Sequence, residues 1–190
     1  MEKKAEAEDK HLFGFWVYLM TDLLMFAAMF ATFIVLRGNT FGGPGGADLF
    51  SLTFVFIETL ILLTSSFVMG LGMIVAHRGN VQKTLVSIGI TFILGTAFVG
   101  MEVYEFSRLI ADGHTWQKSA FLSAFFSLVG MHGLHITLGL VWIIILFIFI
   151  FHKGITPRNL KRLTLLSLFW HFLDLVWIFI FTLVYLFGVI

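Results

Sequence analysis

Five long apolar runs decide most of what this chain can become. They cover about Leu12 to Leu36, Leu49 to Ala76, Leu85 to Ile110, Ala120 to Phe151 and Leu163 to Gly188. Each exceeds the roughly 20 residues a helix needs to cross a bilayer. The expected fold is an all-α membrane protein, one domain over residues 1–190 built as a bundle of five transmembrane helices. Composition agrees, with 59% hydrophobic and 12% charged residues, where a soluble domain carries about twice that charge. No polar stretch is long enough to fold by itself, so no soluble domain is expected. A formal charge of +1 argues against nucleic acid as a partner. The absence of Cys excludes disulfides, iron–sulfur clusters and thiolate copper sites from this chain.

Five spans put the two ends on opposite sides, and basic residues choose the orientation. Lys3, Lys4 and Lys10 precede the first span, Arg78 and Lys83 follow the second, and Lys153, Arg158, Lys161 and Arg162 follow the fourth. The other side holds Arg37, Arg108 and Lys118. The positive-inside rule therefore predicts a cytoplasmic N-terminus, a short tail that stays attached, and a periplasmic C-terminus. The glycine-rich connection Gly42-Gly43-Pro44-Gly45-Gly46 lacks the Lys-Ser or Lys-Thr of a phosphate loop and reads as a turn. Thr156-Pro157 reads as a helix stop, and anionic lipid headgroups are the simplest partner for the basic residues around it. Small residues four apart (Ala27 and Ala31; Ser66 and Gly70; Gly72 and Ala76; Ser87, Thr91 and Gly95) suggest close helix contacts.

The informative residues are the ionisable ones inside the spans, because lipid cannot solvate them. Depth counting puts Asp22 and Asp174 near the midplane with His132 and His135 close by, Glu58 and Glu102 in the outer half, Glu105 nearer the outer edge and His171 nearer the inner one. These five carboxylates and three histidines have no Lys or Arg well inside any span to balance them. Some carboxylates should then hold protons, or share them with histidine.

Three readings compete. His132 and His135, three apart on one face, could join His171 as haem or metal ligands. The carboxylates could relay protons. The preferred reading is structural, with Glu58 bonded to Glu102, and His132, His135 and His171 bonded with Asp174, as interhelical hydrogen bonds that hold register. Trp16, Tyr18, Tyr104, Trp116, Trp142, Trp170, Trp177 and Tyr185 read as interface anchors or packing groups.

Gly130-Met131-His132-Gly133-Leu134-His135-Ile136 and Phe169-Trp170-His171-Phe172-Leu173-Asp174-Leu175-Val176-Trp177 resemble the last two helices of subunit III of haem-copper respiratory oxidases. Met101-Glu102-Val103-Tyr104-Glu105-Phe106 is similar to the acid-tyrosine segment of the preceding helix in that family. Phe13-Gly14-Phe15-Trp16-Val17-Tyr18-Leu19-Met20-Thr21-Asp22 and Phe121-Leu122-Ser123-Ala124-Phe125-Phe126 resemble its bacterial ubiquinol-oxidising branch, the cytochrome o type. The resemblance covers nearly the whole chain. Mitochondrial-type members have seven helices and a lipid-filled cleft between the first two and the rest. This chain starts at the third, so a cleft lipid would need a wall from another subunit. Asp22 falls where that type carries a buried glutamate associated with lipid and proton uptake.

The resemblance implies a non-redox accessory subunit of a proton-pumping ubiquinol oxidase in the bacterial inner membrane. No cofactor is then expected in this chain, with haems and copper in the partner catalytic subunit I, subunits II and IV in the same complex, and phospholipid bound at the boundary. Asp22, Glu58, Glu102, Glu105, His132, His135, His171 and Asp174 become a structural polar network or lipid-boundary set, with no catalytic or metal role, some of it supporting proton uptake. The alternatives are a subunit-III-like component of a cytochrome c oxidase or nitric oxide reductase, a free-standing proton channel, and a small haem-binding membrane enzyme.

Overall fold

Helix boundaries follow capping chemistry more closely than hydropathy. The computed structural model describes residues 2–43 and 45–189, with side chains for 12–43, 45–46 and 49–188; Pro44 of the glycine-rich turn and the tail side chains lie outside the described residues. Its elements are α1 (Glu2–Leu36), a short α2 (Gly46–Leu49), α3 (Leu52–His77), α4 (Val81–Ala111), α5 (Ala120–Lys153), α6 (Pro157–Ile180), a π-helical segment (Phe181–Leu186) and α7 (Phe187–Val189). Asn80, Ser119 and Thr156 each accept a backbone N–H three residues on, at 3.1, 3.1 and 3.2 Å. Those caps satisfy donors that the first turn of a helix leaves open, and they start α4 and α6 well before the apolar runs at Leu85 and Leu163 begin. Thr156-Pro157 proves to be a helix start. Proline fits the first helical position because the N–H it lacks would be unpaired there anyway, and the stop is made by Gly154, whose φ of 67° ends α5.

Five helices are long and apolar enough to cross a membrane: Leu12–Leu36, Leu52–His77, Val81–Ala111, Ala120–Lys153 and Pro157–Leu186. α3, α4, α5 and α6 form a closed ring in which each packs on the next and α6 returns to α3. α1 lies outside that ring, mainly against α5. It buries one narrow stripe, Leu19, Asp22, Phe26 and Phe33, whose spacing of three, four and seven keeps them on one face.

Two tryptophans seven residues apart on α6 tie the ring together. Trp170 lies against Gly95 of α4 and Gly139 of α5, where a Cβ would stand 2.8 and 3.0 Å from its indole, and its Nε1–H donates to Ser65 Oγ of α3 at 2.9 Å. Trp177 packs edge-on against Phe98 of α4 with ring centres 4.6 Å apart, stacks on His132 of α5, and donates to Thr59 Oγ1 of α3 at 3.0 Å. Each indole therefore touches all three other helices of the ring. In lipid, where no hydrophobic drive separates one helix from another, such close packing and interhelical hydrogen bonding supply the association energy. Gly72 of α3 does the same against α4, its Cβ position 2.9 Å from Ser87 Cβ. Of the small-residue pairs, those on α3 and α4 lie at helix contacts, whereas Ala27 and Ala31 on α1 are exposed.

Candidate functional site

The eight intramembrane ionisable residues sort into four groups along the bundle. His171 Nδ1 lies 2.6 Å from Ser66 Oγ, and Asp174, one turn further along α6, also meets the Ser66 side chain. Ser66 thus bridges the two members of the α6 pair from α3. Asp174 is buried and its Oδ1 has no hydrogen-bond partner, whereas His171 is exposed on the side of the bundle.

Asp22 of α1 faces His135 of α5, with Oδ2 3.9 Å from Nε2. His135 Nδ1–H donates back to the Met131 carbonyl at 2.8 Å. That bond fixes the Nδ1 proton and turns Nε2 toward the Asp22 carboxylate. Tyr18, one turn before Asp22, reaches the same carboxylate. This polar contact is the only one among the described buried side chains to join α1 to the ring.

His132 is fully buried and neither ring nitrogen has a hydrogen-bond partner. Its ring stacks on Trp177 at 5.3 Å and meets Phe26 and Phe98 edge-on at 6.2 Å. Glu58, Glu102 and Glu105 form the fourth group. Tyr185 O–H donates to Glu105 Oε2 at 2.8 Å, while neither oxygen of Glu58 is bonded and no hydrogen bond joins it to Glu102.

The three histidines thus turn to three different neighbours: a tryptophan face, an aspartate and a serine. Among the described residues no three His, Asp or Glu side chains converge as a metal-holding group. His132 and Asp174 belong to separate groups, and His171 alone of the histidines is joined with Asp174, through Ser66.

Sequence reasoning missed the partners rather than the ionisable residues. Thr59, Ser65 and Ser66 on α3 answer Trp177, Trp170 and His171 on α6. The signal was present as comparable spacings on two antiparallel helices, with Thr59 and Ser65 six apart and their partners Trp177 and Trp170 seven apart. Tyr185 had no such signal, because its direction depends on the π-helical turn that carries it.

Fold and site together define a multi-span helical membrane protein whose buried polar groups are placed for contact between helices. The chain belongs to the cytochrome c oxidase subunit III family, whose sequence profile matches residues 4–189. It is 54% identical over 177 residues to cytochrome bo(3) ubiquinol oxidase subunit 3 of Pseudomonas aeruginosa, covering 93% of this chain and 85% of that one. Cytochrome c oxidase subunit 3 of Bacillus sp. strain PS3 is 42% identical over 190 residues, 100% of this chain and 92% of that one. Quinol oxidase subunit 3 of Bacillus subtilis is 42% identical over 188 residues, 99% and 92%.

Proposed function

We propose that this chain is the non-redox third subunit of a proton-pumping, ubiquinol-oxidising haem-copper oxidase of the bacterial inner membrane. It supports the catalytic subunit I within a complex that also holds subunits II and IV, and binds phospholipid at their boundary. The observation that carries this reading is the 54% identity, over nearly the whole chain, with a subunit named for ubiquinol oxidation. The polar set supports it too, since the histidines that resemble haem ligands are engaged by Trp177, Asp22 and Ser66. Redox chemistry then belongs to the haems and copper of the partner, and this chain contributes shape, lipid and positioning.

The basic connections around Arg78 to Lys83 and Lys153 to Arg162 face the cytoplasm in this reading, and the Arg108 end faces the periplasm. Asp22 and His135 lie where the loosely held α1 meets the ring, which makes this seam the lipid-boundary element, with a role in supporting proton uptake.

The second reading, a cytochrome c oxidase subunit, draws on the 46% and 42% identities to subunits so named. Oxygen uptake by the purified complex separates the two. Turnover with ubiquinol and none with reduced cytochrome c is expected; the reverse preference would establish the second reading.

A further inference from the structure

The fourth polar group is not explained by packing alone. Glu58 of α3 is 0% exposed and neither carboxyl oxygen has a hydrogen-bond partner among the described residues. Glu102 of α4 is buried with its Oε2 unpartnered. Its carboxyl group occupies a niche that exists because residue 133 of α5 is glycine: a Cβ there would lie 2.6 Å from Oε2 and 2.8 Å from Cδ. Glu105, one turn on, accepts the Tyr185 hydroxyl. The three carboxyl groups and the phenol are near enough to interact electrostatically with one another. Hydrogen bonds between helices would account for Glu105 and Tyr185, but they leave Glu58 and Glu102 unanswered.

The surroundings say what these two groups can bind. On α4, Glu105 also feels Arg108, which is largely exposed at the end of the helix. On α5, His132 stacks on Trp177 and makes no hydrogen bond to the cluster. Two or three neighbouring carboxylates cannot all carry charge in a low-dielectric interior with one peripheral cation. The described donors do not form a metal-holding group, which leaves protons and water as the species that fit. A crevice of about 260 Å³ lined by Ser51, Tyr104, Glu105 and Arg108 opens beside the cluster, roomy enough for several waters at about 30 Å³ each. Glu105 borders both the crevice and the interior.

We propose that Glu58 and Glu102 form a proton-holding site inside the bundle, loaded from the Arg108 end through the crevice and Glu105. Loading is two successive proton transfers: hydronium in the crevice protonates Glu105 and is left as water, and Glu105 then protonates a Glu58 or Glu102 carboxylate and returns to carboxylate, one O–H bond breaking on each donor as one forms on each acceptor. Glu105, which accepts the Tyr185 hydroxyl and lines the crevice, is the gateway. Glu58, the least exposed of the three, is the terminus. The site does not depend on which oxidase the chain serves.

Infrared spectroscopy of the intact complex tests this directly. The wild-type minus Glu58→Gln difference should contain a protonated-carboxyl carbonyl band, and that band should shift when H2O is replaced by D2O. It should also move in Glu105→Gln, which alters the gateway but leaves Glu58 in place. No carboxyl band in the difference, or a band indifferent to D2O, overturns the proposal. If Glu58→Gln fails to assemble, complex grown with isotope-labelled glutamate, with and without Glu105→Gln, gives the same reading while Glu58 is left in place. A labelled, exchangeable glutamic acid band that Glu105→Gln shifts then supports the site, and its absence rejects it.

Discussion

Single side chains carry sharply different costs in this bundle. Trp177 contributes both bulk and a donor, and the two can be separated. Trp177→Phe keeps an aromatic ring but removes the donor to Thr59, whose hydroxyl still donates to the Val55 carbonyl, and in a double-mutant cycle with Thr59→Val the interhelical hydrogen bond should account for about 0.6 kcal/mol, the average for such bonds in membranes. Trp177→Ala empties a fully buried position and should cost about 3–5 kcal/mol, read as a loss of thermal stability in detergent. Gly133→Ala works in the opposite sense, by adding a methyl where the Glu102 carboxyl already sits. Overpacking of this kind costs about 1–3 kcal/mol, and pairing it with Glu102→Ala should recover much of the loss. Asp174→Leu removes a polar partner from Ser66 and His171, so it should reduce assembly while leaving electron transfer normal in the complexes that do assemble. Normal assembly with a lost haem spectrum would contradict that assignment.

At the scale of elements, the helices are held by local chemistry at their ends and by glycines and tryptophans at their crossings. Thr156→Ala should destabilise the start of α6 by about 1 kcal/mol, measurable as faster backbone hydrogen exchange over the following turn. The five spans were legible because lipid demands long apolar helices, and nothing in the chain interrupts them. Their limits were less so, since Asn80 and Thr156 extend helices into polar sequence where hydropathy is silent. Thr156-Pro157 was misread because proline blocks a preceding helix and suits the start of the next, and only the location of Gly154 decides between them. The polar residues that matter were visible as costly exceptions within apolar runs. Their pairing was not, because it depends on which helices are neighbours: Asp22 meets His135 since α1 packs on α5, and Glu58 and Glu102 come together since α3 packs on α4. The π-helical segment Phe181–Leu186, which aims Tyr185 at Glu105, has no counterpart in the spacing of its residues.

The whole molecule is a closed four-helix ring with one helix laid against its side. That asymmetry separates two roles. The ring is tied together by Trp170 and Trp177, while α1 adds an apolar helix whose described side chains are mostly exposed and which meets the ring at Asp22 and His135. In the proposed complex the exposed apolar surface meets lipid or the catalytic subunit. A terminal reporter fusion that places the N-terminus in the cytoplasm would agree with the distribution of basic residues. In the proposed function this chain works as a redox-silent subunit of a larger oxidase. Gentle detergent extraction of the tagged chain from native membranes, with mass spectrometry of co-purifying chains and a reduced-minus-oxidised spectrum, tests it most directly. Co-purification with a catalytic subunit, and haem absorbance confined to that complex, are expected. A chain that purifies alone and carries haem itself would contradict it.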